Sequence, residues 1–144
     1  QTRHLRFDIS LLANRLVAVA EWLRRTPETA HLKIGFFGSS TGGGAALAAA
    51  AELGERVGAV VSRGGRPDLA GDALKKVTCP VLLIVGGLDS VVIQLNEAAL
   101  SKLNCEKDLQ IVPGATHLFE EPGKLEFVAQ LAAEWFERQL APDS

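Results

Sequence analysis

The 144-residue chain contains no methionine. With no initiator residue, it is expected to be a processed product or a piece of a longer polypeptide. No apolar run approaches the ~20 residues a membrane-spanning helix needs, and the opening QTRHLRFD lacks the apolar centre of a secretory leader. Cysteine is scarce: Cys79 and Cys105 stand in neither a CxxC nor a metal-binding spacing. Two such residues make no disulfide scaffold and read as small buried hydrophobes, so a reducing cytoplasm is the expected location. Neither sign of charge is in much excess, with a net charge of -2. That gives no reason to expect nucleic acid or an anionic membrane as partner. Internal repeats, low-complexity tracts and linkers are also missing.

What remains is ordinary globular composition, 47% hydrophobic and 22% charged, in a length that suits one domain over residues 1–144. From Asp8, a plausible N-cap, the apolar positions Ile9, Leu12, Leu16, Val19 and Leu23 step by three and four. That spacing predicts a helix ended by Pro27. LKIGFFG reads as a buried strand, and Ala45 to Leu53 as a helix of small residues able to approach its neighbours closely. Arg56 to Ser62 reads as a second strand, and Asp68 to Leu74 as a short helical turn within a loop. CPVLLIVGG reads as a third strand, with Pro80 at its entrance. Val92 to Leu103 fits a helix, KDLQIVPG a fourth strand, and Lys124 to Leu140 a closing helix with Val128, Leu131, Ala132 and Trp135 inward. Trp22, Phe127 and Phe136, also on helices, read as core or edge packing. Strands alternating with helices predict an α/β fold: an open parallel sheet of about four strands flanked by helices. In such sheets ligands bind beyond the carboxyl ends of the strands, so the loops at 38–44, 62–71, 86–91 and 113–123 are the places to search.

The first of these loops raises a question. FFGSSTGGGAALAAAAELG leaves a strand through glycines and small polar residues and enters a helix-forming run. A phosphate cradle, a turn presenting a nucleophile and a packing corner all compete. A P-loop needs Gly-Lys-Ser/Thr after the glycines, yet there is no lysine between Lys33 and Lys75. The dinucleotide pattern fails too, because alanines follow Gly44 and SRGGRPD stands where an acidic residue is expected. Gly38-Ser39-Ser40-Thr41-Gly42 does match G-x-S-x-G, in which a sharp strand-to-helix turn projects the central side chain. The glycines are expected to remove Cβ atoms where strand and helix crowd together.

A serine hydroxyl needs a base to take its proton. Of three histidines, His4 lies near the start and His31 precedes the first strand, at the end opposite the loop. His117, in PGATHLFEEPG, follows the fourth strand on the correct rim. A histidine base needs a carboxylate on its other ring nitrogen. Asp89, leaving the third strand, is the candidate, although aspartate there also suits a turn or a helix cap. Asp68 competes but sits in an N-cap context. Arg63 and Arg66, after the second strand, are candidates to hold a substrate carboxylate or phosphate. They are equally placed to pair with Asp68, Glu120 or Glu121.

GFFGSSTGGGAA, CPVLLIVGGLDSVV and IVPGATHLFEEPG resemble the three catalytic segments of α/β-hydrolases, most of all the bacterial dienelactone-hydrolase-like group. The resemblance spans about residues 31–123. It implies the C-terminal half of an α/β-hydrolase sheet, with Ser40 as nucleophile, His117 as general base and then acid, and Asp89 as its orienting carboxylate. It further implies one oxyanion donor at the backbone N–H of Thr41, and a second supplied by a loop upstream of Gln1. Serine stands where dienelactone hydrolases proper carry cysteine. The implied activity is hydrolysis of a small-molecule ester, thioester or lactone through an acyl-Ser40 intermediate, with no metal or cofactor. The opposing expectation is a non-catalytic hydrolase scaffold. KIGFF would then be an exposed sheet edge, and self-association through it or the first helix is expected.

Overall fold

Near-continuous burial runs through the two central strands, and the architecture follows from it. The computed structural model describes residues 2–141, so the remaining residues of the expected 1–144 domain lie outside the described ones. In chain order the main elements are α1 (Thr2–Arg25), β1 (Ile34–Ser39), α2 (Thr41–Leu53), β2 (Val57–Arg63), β3 (Val81–Gly86), α3 (Ser90–Lys102), β4 (Lys107–Val112) and α4 (Lys124–Gln139). Short 3-10 segments cover Gly54–Arg56 and Pro67–Lys76. The four strands form one sheet in the order β1-β2-β3-β4, every pair parallel. This is the expected α/β class.

Each face of the sheet carries its own core. Phe36, Val60, Val81 and Leu83 pack with Ala13, Ala20, Leu47, Ala50, Leu74 and Leu103, from α1, α2, the 3-10 segment and the end of α3. On the opposite face Ala59, Val61, Leu82, Ile84 and Val112 meet Val128, Ala132 and Trp135 of α4, with Leu131 beside them. β3 is buried at every residue, as a strand covered on both faces must be. Truncating a fully buried side chain such as Leu83 to alanine would cost about 2–5 kcal/mol.

Several boundaries differ from the sequence reading. α1 begins at Thr2 rather than Asp8, because Leu5 continues the apolar stripe that packs around Ile9. Asp8 therefore lies within the helix and pairs with His4 at 3.4 Å instead of capping. α2 begins at Thr41, four residues before Ala45, so the three glycines are helical. The region around Asp68 is a longer 3-10 segment kinked at Gly71, and Asp68 sits inside its first turn, where no side chain caps. Trp22 and Phe127 are exposed, at 58% and 42%, contrary to the packing expected of them. Phe136 does pack, its ring lying where a Cβ on Gly35 would fall. Cys79 is buried and Cys105 half-buried, and both are free. Burial pushes the Cys79 thiol up to about 11, which keeps it protonated. Among the described residues no helix is long and apolar enough to cross a membrane.

Among the described residues β1 has a strand neighbour on one side only. Beside its open edge, Phe37 is 52% exposed at the rim of an apolar groove of about 260 Å³ that Leu12, Leu16, Val19 and Gly42 also line. An unpaired strand next to such a groove is expected to recruit another copy of the chain. Sedimentation velocity should show the weight-average mass rising with concentration in the micromolar range, and Phe37→Lys should suppress the rise. A strictly monomeric wild type would refute this.

Candidate active site

The strongest local constraint lies where β1 passes into α2. Ser40 joins them with φ 53° and ψ −125°. Side chains rarely adopt such backbone, which costs on the order of 1–3 kcal/mol and persists only where surrounding bonds enforce it. Here the Ser40 N–H donates to the Arg63 carbonyl at 3.3 Å, and the Ser40 carbonyl accepts from Gly43 at 3.1 Å and Arg66 at 3.0 Å. The turn lifts the side chain away from both elements.

Glycines make the turn sterically possible, though not quite where the five-residue pattern suggests. A Cβ on Gly38 would collide with the Gly42 carbonyl, whereas one on Gly42 would meet open space. The expected crowding on both sides of Ser40 therefore holds only at Gly38. Two glycines outside the pattern are also hemmed in. A Cβ on Gly43 would strike the Ser62 hydroxyl, and one on Gly44 would lie 2.7 Å from the Arg66 carbonyl and from Ile9 Cδ1. The run of three glycines was the visible signal, but the neighbours it accommodates come from β2 and the loop after it.

His117 sits in the loop between β4 and α4, on the same rim. The loop is anchored by Phe119, fully buried with φ 57°, whose N–H donates to the Thr116 carbonyl at 3.1 Å. It is closed by Glu121, which accepts from the Thr116 N–H at 3.0 Å and the Thr116 hydroxyl at 2.7 Å. Those two bonds hold the Glu121 carboxyl below its ordinary range. Gly64, at φ 52°, lies against the imidazole: a Cβ there would be 3.5 Å from Nδ1 and Cε1.

Asp89 follows β3 in a tight turn, its N–H donating to the Gly86 carbonyl at 3.0 Å. It occupies the N-cap position of α3, yet its side chain makes no cap bond. The carboxylate instead meets His117: Asp89 Oδ2 lies 2.8 Å from Nδ1, while Nε2 lies 3.0 Å from Ser40 Oγ. The three candidates thus form one continuous chain of contacts. Asp89 is the more sheltered of the two, with its side chain 17% exposed against 41% for the imidazole. The N–H of Thr41 is the first of α2, whose first turn carries no acidic residue to offset the positive helix end.

The side chains of the remaining candidates stand outside this chain of contacts. His4 is on α1, and His31 precedes β1 at the far end of the sheet. Arg66 is engaged by Asp68 through two bonds of 3.0 and 2.9 Å, which raise its pKa further. The Arg63 guanidinium lies 5.6 Å from the centre of the Phe119 ring, with its buried Nε unpartnered. Asn96 and Ser62, both fully buried beneath the loop that braces Ser40, carry no sequence signal and were missed. Among the described residues no group of three or more His, Cys, Asp or Glu side chains is arranged to hold a metal ion.

The crystal structure of a dienelactone hydrolase from Anabaena variabilis is 64% identical and superposes with a TM-score of 0.92, covering 97% of this chain and 65% of that one. A Mycobacterium tuberculosis protein from strain H37Rv, provisionally named a phosphoribosyl transferase, is 61% identical over 130 residues. This chain spans 90% of its own length in that match but only 29% of the relative's. Est1E from Butyrivibrio proteoclasticus, at 18% identity and a TM-score of 0.76, shares the fold over 90% of this chain and 70% of its own. The dienelactone hydrolase family matches residues 4–141. Almost the whole chain takes part in that match, and the chain belongs to the dienelactone hydrolase family.

Proposed function

We propose that this chain carries the acyl-transfer machinery of a serine hydrolase, acting on a small ester, thioester or lactone without a metal or cofactor. The observation that carries the reading is the contact series Ser40 Oγ–His117 Nε2–His117 Nδ1–Asp89 Oδ2, at 3.0 and 2.8 Å. With the Nδ1 proton donated to Asp89, Nε2 presents its lone pair to the Ser40 hydroxyl. Ser40 Oγ attacks the substrate carbonyl carbon while its proton passes to Nε2. The resulting oxyanion is met by the Thr41 N–H and the positive end of α2. His117 then protonates the leaving alkoxide or thiolate, and the carbonyl reforms as acyl-Ser40. In the second half His117 takes a proton from water, whose oxygen attacks the acyl carbon; the C–Oγ bond then breaks, His117 returns the proton to Ser40 Oγ, and the acid leaves.

Working with one donor alone would lower the rate by about 10²–10³. Of the two arginines, Arg66 is committed to Asp68, so Arg63 is the one proposed to meet an acidic group on the substrate. Its place opposite Ser39 in the β1–β2 register supports this. A phosphoribosyl transferase reading rests on a name given to relatives of which this chain matches 29%. The glycine loop, lacking a lysine, does not favour it.

A fluorophosphonate probe should label the wild type, and Ser40→Ala should abolish labelling. His117→Ala and Asp89→Asn should each slow it by about 10²–10⁴-fold. A wild type that neither labels nor turns over p-nitrophenyl acetate would favour the non-catalytic scaffold. Arg63→Ala should raise KM about tenfold for an ester bearing a carboxylate and leave a neutral ester unchanged, since it removes a single charge-assisted contact. Equal effects on both esters would remove Arg63 from the substrate site.

The Glu121 clamp has a pH signature. Its lowered carboxyl stabilises the His117 loop fully above the ordinary glutamate range, and the contribution fades as pH falls through the depressed value. Glu121→Ala should therefore cost about two- to fivefold in kcat/KM near pH 8. Its thermal midpoint should lie below that of the wild type at pH 8 and approach it in acid. A midpoint difference independent of pH would contradict the clamp.

A further inference from the structure

Asn96 lies on α3, the helix that begins directly after Asp89, and is fully buried. One Nδ2 hydrogen goes to the Val92 carbonyl of its own helix at 2.8 Å, the other to the Gly65 carbonyl at 3.1 Å. Its Oδ1 has no partner. Burying an amide with an unpaired oxygen disfavours the folded state, and a leucine of similar size would carry no such penalty. What the amide contributes beyond its own helix is a grip on Gly65.

That grip falls on the segment supporting two of the three proposed catalytic groups. Arg63 accepts from the Ser40 N–H at 3.3 Å, and Arg66 donates to the Ser40 carbonyl at 3.0 Å. Gly64 backs the His117 ring, and its own N–H is tied to the Ile84 carbonyl at 2.7 Å. Gly65 lies between them with no room for a side chain, since a Cβ would strike the Ser62 hydroxyl. Residues 63–66 thus set where Ser40 and His117 sit relative to one another, while α3 carries Asp89 at its start. Asn96 is the side chain that joins α3 to that segment.

We infer that Asn96 is a positioning residue: by holding the Gly65 carbonyl it fixes the separation of Ser40 from His117. The inference rests on the acyl-serine reading for its consequence in rate, and on hydrogen bonding alone for its consequence in the backbone. A group displaced by about 1 Å from a productive geometry loses on the order of 10²-fold in rate.

The test uses the full chain with Asn96→Leu, and Asn96→Ser as a smaller change should the leucine variant not fold. Three readouts are needed: fluorophosphonate labelling rate, the same rate in a His117→Ala background, and hydrogen exchange at the Ser40 and Arg66 amides. Labelling is expected to slow by about 10–100-fold. With His117 already absent, the substitution should add no more than about twofold, because it acts through that pair. Exchange at Ser40 and Arg66 should quicken by about tenfold while β3 amides keep their protection. Labelling within twofold of wild type, or the same loss in both backgrounds, would overturn the inference. So would unchanged exchange at Ser40 and Arg66. If the wild type itself does not label, the acyl-serine reading fails and exchange alone decides whether Asn96 braces the turn.

Discussion

The backbone of Ser40 is held in a conformation that serine avoids, and the rest of the site is arranged around keeping it there. One strand away, the last residue of β2 takes the Ser40 N–H, and the loop after it gives an N–H back to the Ser40 carbonyl. Both bonds exist only because β1 and β2 are parallel neighbours ending at the same level, with Ser39 opposite Arg63. The glycines at 38, 43, 44 and 65 follow from the same constraint, since a side chain at any of them would push the turn, α2 and the loop apart. Strain at a projecting hydroxyl is affordable when the surrounding backbone overdetermines it.

The two sides of the sheet divide the labour. The α1–α3 face supplies the elbow helix and the buried polar support, while the α4 face carries Phe119 and the loop that delivers His117. Asp89 reaches the imidazole from the strand between them. The segments leaving β1, β3 and β4 therefore converge on a single rim, which is where open parallel sheets place their chemistry. The outer edge of β1 is less complete, with Phe37 and the apolar groove facing outward. The solved Anabaena relative is longer, since this chain covers 65% of it.

Much of this was legible before any coordinates. Ser40 stood in a recognised turn pattern, and His117 and Asp89 were the histidine and carboxylate that strand order placed on the same rim. The misses share a cause. The start of α2 at Thr41 was hidden because glycines oppose helix formation locally, and only close packing on Ser62 and Arg66 makes them suitable. Trp22 and Phe127 were read as packed because aromatic residues usually are, yet which face of a helix is covered depends on what lies beside it. Arg66 was left open between a substrate and pairing with Asp68, Glu120 or Glu121, and Asp68, two positions on, occupies it.

The order of elements, the parallel sheet and the identity of the three converging side chains were determined by the sequence itself. Periodicity and turn chemistry are local properties, and strand direction fixes which end each loop occupies. Tertiary structure alone decided the 3.0 and 2.8 Å contacts, the open space at Gly42 and the burial of Asn96 under the loop that braces Ser40. Those depend on how closely separate segments approach, and approach is set by the packing of both faces of the sheet at once. No stretch of sequence read alone contains that information.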